Sequence, residues 1–131
     1  MAKTERKKLI DQCDKLYSQC ILERDKTCRY SNSDCRLSCH HIRSRTHLST
    51  RWDLDNGLTL AWNVHFLQKA NPELFHDRII EIIGQQKYDQ LKTKSLVTVK
   101  YSMQDLRDIK ETLKKKLDDI KRGIDFSDLP F

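Results

Sequence analysis

The side chains best suited to chemistry crowd one stretch of this chain. From Arg36 to Arg51 there are four arginines (36, 43, 45 and 51), three histidines (40, 41 and 47) and no acidic residue. Imidazole changes charge near neutral pH, so histidines in such a stretch can move protons or hold a metal ion. Guanidinium groups offer paired hydrogen bonds to phosphate oxygens. The segment reads either as a solvated basic loop or as a phosphate-binding surface. Beyond it, Asn56 follows His41 by fifteen residues and His65 follows Asn56 by nine. His47 and His76 fall outside that order and read as a loop histidine and an exposed helix position.

The elements that must position these residues fit one domain. The 131 residues would give two domains too little core each. Hydrophobic residues make up 37% and charged residues 34%, with three glycines and two prolines, a composition that suits a helix-rich soluble protein. Apolar stretches such as Leu58–Trp62 fall far short of the roughly 20 residues of a membrane span. Met1 to Lys8 is charged and no apolar run follows it, so a cytosolic protein with reduced thiols is expected. Lys and Arg number 25 against 19 Asp and Glu; the resulting +6 makes a polyanion a reasonable partner.

Leu9, Ile10, Cys13, Leu16, Tyr17, Cys20 and Ile21 recur at three- and four-residue intervals, which predicts an amphipathic helix over 4–24. Cys13 and Cys20 read as packing residues on its face, because a free cysteine behaves as a small hydrophobe. Ser31-Asn32-Ser33-Asp34 suits a turn. Extended segments at 36–42 and 58–62, joined by the polar loop with the arginines, suggest a hairpin. Residues 63–69 can begin a helix. Asn71-Pro72-Glu73 then gives a stronger start, with a buried stripe of Leu74, Phe75, Ile79, Ile82 and Ile83 and an end at Gly84. A short helix follows at 85–93. Ser102 and Asp105 form a capping box for a last helix, in which Leu106, Ile109, Leu113, Leu117 and Ile120 continue to Gly123. Lys116 interrupts a heptad on that stripe, which favours docking on its own domain over a coiled-coil dimer.

The stretches Cys39-His40-His41-Ile42-Arg43-Ser44-Arg45, Arg51-Trp52-Asp53-Leu54-Asp55-Asn56, Leu58-Thr59-Leu60-Ala61-Trp62-Asn63-Val64-His65 and Asn71-Pro72 together resemble the HNH endonucleases, and within them a phage-type group. The resemblance covers residues 28–72. It implies an α+β, helix-rich fold in which a ββα-metal finger is flanked by N-terminal and C-terminal helices. The chain then divides into an N-terminal helix (1–27), the finger (28–70), a helical part (71–123) and an acidic tail (124–131).

By the same resemblance, His41 is the general base that takes a proton from the attacking water. His40 and His65 are ligands of one divalent metal ion, and Asn56 supports the loop that orients His41. Many finger nucleases carry Asp where His40 stands, so the ion could be Mg, Mn, Co, Ni or Zn. Arg43, Arg45 and Arg51 are candidate phosphate contacts, although Arg51 could equally pair with Asp53 or Asp55. Relatives bind a structural zinc through two Cys-x-x-Cys pairs. Here those positions are Cys28, Ser31, Ala61 and Val64, which argues against a structural zinc.

The last eight residues, Ile124-Asp125-Phe126-Ser127-Asp128-Leu129-Pro130-Phe131, resemble the C-terminal tip of bacterial single-stranded DNA-binding proteins. That likeness implies Phe131 as an anchor, Pro130 as a stiffener and Asp125 and Asp128 as steering charges toward host proteins that bind such tips. A tail folded back on its own domain is the alternative. The resemblances imply a metal-dependent DNA endonuclease acting in a bacterial host's cytoplasm, as a monomer or homodimer. The competing expectations are a silent DNA-binding or interaction module working through its tail, and a nuclease for branched DNA.

Overall fold

The computed structural model of the chain describes residues 2–123. The tail positions Asp125, Asp128, Pro130 and Phe131 lie outside the described residues. The fold is a helix-rich α+β arrangement around one two-stranded antiparallel sheet. Its order is α1 (Glu5–Asp25), β1 (Leu37–His41), α2 (Leu48–Arg51), a 3-10 turn (Leu54–Asn56), β2 (Gly57–Ala61), α3 (Val64–Ala70), α4 (Pro72–Ile83), α5 (Gln85–Ser95) and α6 (Met103–Lys121).

The outer helices form one core. Thr4 caps α1 by accepting the Lys7 N–H, and α6 starts on the complete Ser102–Asp105 capping box. The Cys13 thiol donates to the Leu106 carbonyl and the Cys20 thiol to the Leu113 carbonyl, each at 3.5 Å. Seven residues separate the two donors and seven the two acceptors, so α1 and α6 run parallel and in register. Leu9, Tyr17, Ile21, Trp52 and Leu117 complete this core, which occupies the apolar face of α6 within the chain. Burial pushes both thiols up to about 11, as suits packing residues.

A second core fills the other side of the sheet with Cys28, Leu58, Leu60, Ala61, Val64, Phe75 and Ile79. β2 is therefore buried along its whole length, and β1 pairs with it from Leu37 opposite Ala61 to His41 opposite Gly57. The other edge of β2 is closed by the end of α1 and the turn after it. Asp25 accepts the Thr59 N–H at 2.9 Å, Arg24 donates to the Gly57 carbonyl at 2.8 Å and the Arg29 N–H donates to the Thr59 carbonyl at 2.9 Å. An exposed ladder edge is thereby covered.

Two expectations need correction. Leu74 is 54% exposed and not part of the α4 stripe, because Phe75 and Ile79, one turn apart, already supply the face turned to β2. The loop between the strands also contains helical structure: Asp53 caps the 3-10 turn by accepting the Asp55 N–H.

Candidate functional site

β1 ends on His40 and His41, and β2 leads directly into α3, which carries His65 in its first turn. The His40 and His65 rings approach to 6.1 Å between centroids, tilted by 58°. Two imidazoles whose nitrogens each lie about 2.0–2.1 Å from one ion have centroids about 5–6 Å apart, slightly closer than this pair stands. His40 also packs edge-on against Phe75 at 5.5 Å. Burial, then the neighbouring His65 and His41, push its pKa down to about 4, which keeps the ring neutral with a lone pair to offer. The His65 Nε2 lies 2.8 Å from the Ser38 hydroxyl. If Ser38 accepts from Nε2, the opposite nitrogen, Nδ1, is left as the ligand atom.

Among the described residues, no group of three or more His, Cys, Asp or Glu side chains gathers around one point. His40 and His65 could each offer one imidazole nitrogen to a divalent ion.

The His41 ring lies against α1. It stacks on Tyr17 at 5.0 Å and 19°. Its Nε2 lies 3.0 Å from the Arg51 carbonyl. A carbonyl only accepts, so Nε2 carries the proton and Nδ1 of the neutral ring keeps its lone pair. Burial holds the His41 pKa below the usual histidine value, against the opposing pull of the Arg51 carbonyl and Asp14.

Asn56 is fully buried and clamps the loop between the strands. Its Oδ1 accepts the Arg43 N–H at 2.7 Å, while Nδ2 donates to the Arg43 carbonyl at 3.0 Å and the Thr50 carbonyl at 3.1 Å. Thr50 precedes the residue whose carbonyl holds His41, so the clamp sets where that carbonyl stands.

The three candidate phosphate contacts differ. Arg51 makes a bidentate pair with Asp14 at 2.7 and 3.0 Å and lies over the Trp52 ring. It pairs with neither Asp53, which takes Lys94 at 2.6 Å, nor Asp55, which takes Lys87 at 3.4 Å. With its side chain 13% exposed, Arg51 braces the fold and presents its backbone carbonyl to His41. Arg43 is tied to α5 through the Ser95 hydroxyl at 3.0 Å and the Tyr88 hydroxyl at 3.4 Å. Arg45 keeps an exposed guanidinium, 3.7 Å from Asp14.

Cys28, Ala61 and Val64 are buried in the second core. The Ser31 N–H donates to the Cys28 Sγ at 3.3 Å. Burial alone would raise the Cys28 pKa, but Ser31 and the neighbouring backbone hold it below the usual thiol value.

Sequence reasoning missed Asp14, Tyr17 and Ser38 as members of the site. The first two join it only when α1 docks, and no local pattern marks that event. Ser38 was legible: it stands two residues before His40 and so shares its face of the strand. No family model matches the chain, and neither a curated protein nor a solved structure matches it.

Proposed function

We propose that this protein is a metal-dependent HNH-type DNA endonuclease and that β1, β2 and α3 form its ββα-metal finger. The observation that supports this reading is the 6.1 Å approach of His40 and His65 across the sheet–helix junction, with His41 next in the strand. His40 and His65 would hold the divalent ion between them. When bound, such an ion offsets charge on the scissile phosphate and its leaving oxygen. His41 would accept the proton of the attacking water at Nδ1, since Nε2 is committed to the Arg51 carbonyl. Asn56 holds the loop that carries this carbonyl, and Arg45 would meet phosphate oxygens. The tail would recruit host proteins through Asp125, Asp128, Pro130 and Phe131.

The test is conversion of supercoiled plasmid with Mg, Mn, Co or Ni, beside His41→Ala, His40→Ala and EDTA controls. Nicked or linear product that requires metal and both histidines supports the nuclease. A folded protein that shifts DNA but cuts under none of these metals overturns it in favour of a silent binding module. Removing Leu129–Phe131 should leave cleavage intact and abolish capture of a purified protein that binds single-stranded DNA-binding protein tips.

A further inference from the structure

We propose that Trp62, Phe66 and Arg36 form a stacking platform for an unpaired nucleobase, which makes DNA with a single-stranded stretch beside the cut the substrate class of this site. The inference rests on the nuclease reading for the word substrate, but the platform itself does not. Trp62 is 52% exposed and Phe66 55%, whereas Trp52 and Phe75 are buried at 9% and 5%. The fold thus covers some of its large aromatics and leaves these two outside. Their rings hold each other edge to face at 4.9 Å and 85°. The Arg36 guanidinium lies 5.4 Å from the Trp62 ring centroid, and the Trp62 backbone N–H donates to the Arg36 carbonyl at 2.9 Å.

This group is built into the site. The Trp62 carbonyl accepts the His65 backbone N–H at 3.3 Å, so Trp62, His65 and Phe66 occupy a single turn. A base stacked there would hold its flanking phosphates beside the His40–His65 pair. A cation over an exposed aromatic face, in a chain of net charge +6, suits a π-faced polyanion better than an apolar protein surface. Every base has a π-face, so the platform selects unpaired strand over duplex without reading sequence.

Tryptophan emission tests the contact directly, because Trp52 is buried and Trp62 is exposed. A short oligodeoxythymidine should quench the emission of the full-length protein, and Trp62→Phe should remove the quenching while keeping most of the affinity. By anisotropy, Trp62→Ala and Phe66→Ala should each weaken binding of that oligonucleotide about tenfold and leave duplex affinity within about twofold. In cleavage, the wild type should favour a flapped duplex over a fully paired one, and Trp62→Ala should erase the preference. Equal loss on single-stranded and duplex DNA overturns the platform, as does unchanged DNA binding with an altered oligomeric state. Cleavage of no substrate, with the single-strand preference intact, overturns the nuclease reading and leaves the platform standing.

Discussion

Three hydrogen bonds end on the Asp14 carboxylate. It accepts from Arg51 twice and from the Trp52 indole at 2.9 Å, and Arg51 in turn presents the carbonyl that orients His41. Burial works against this carboxylate, but Arg51 and then Trp52 keep its pKa below the ordinary value. Asp14→Asn should therefore cost about 2 kcal/mol in urea unfolding, in the range for hydrogen bonds to charged groups. Plasmid cleavage should fall with it, because a displaced Arg51 carbonyl leaves the His41 ring free to turn. Full activity in a variant destabilised to that degree would disconnect the brace from the base. Asn56 is legible in the amino-acid sequence because its distance from His41 belongs to a motif. Asp14 is not, since it is one of several acids on a charged helix and only its docked position distinguishes it.

The elements meet closely where α1 crosses the start of β2. A Cβ built on Gly57 would lie 2.6 Å from the Tyr17 hydroxyl oxygen and 2.7 Å from Ile21, so only glycine allows the helix this close. Gly57→Ala should cost about 2 kcal/mol by overpacking. It should also move Tyr17 off the His41 ring, which a change in the His41 ring-proton shifts would report. At the end of the same helix, Asp25 has a side chain only 3% exposed. Burial raises its pKa, but Arg24 and the Thr59 N–H together hold it below the usual carboxylate value. An unfolded Asp titrates near about 3.9, so the stabilisation is fully present above that pH and is lost as pH falls through the lower, folded pKa. Asp25→Asn should cost about 3 kcal/mol at neutral pH and flatten the loss of stability on acidification below about pH 4. An acid-unfolding curve parallel to the wild type's would refute that assignment. Helix ends, capping box and hairpin are readable in the sequence because they depend on local spacing. The sealed edge of β2 is not, because it joins Arg24 and Asp25 to residues more than thirty positions away.

Across the described residues, two apolar cores hold the ribbon from opposite sides. Cys28, Ala61 and Val64 pack with Leu58, Leu60 and Phe75, and the Ser31 N–H reaches the Cys28 sulfur. The parallel contact of α1 and α6 supplies the other core, and Leu113→Ala within it should cost about 3 kcal/mol. Metal binding and folding should consequently separate. Protein dialysed against EDTA should retain a single cooperative melt, whereas a zinc-dependent fold would lose it. Mn or Ni added at a hundredfold excess over its Kd should contribute about 2.7 kcal/mol, raising Tm by about 10 °C in a chain of this size. His40→Ala should abolish that rise; because His40 also packs edge-on against Phe75, the rise is read against the variant's own metal-free Tm. A rise that survives His40→Ala would place the ion elsewhere, and a melt that collapses in EDTA would return structural metal to the fold.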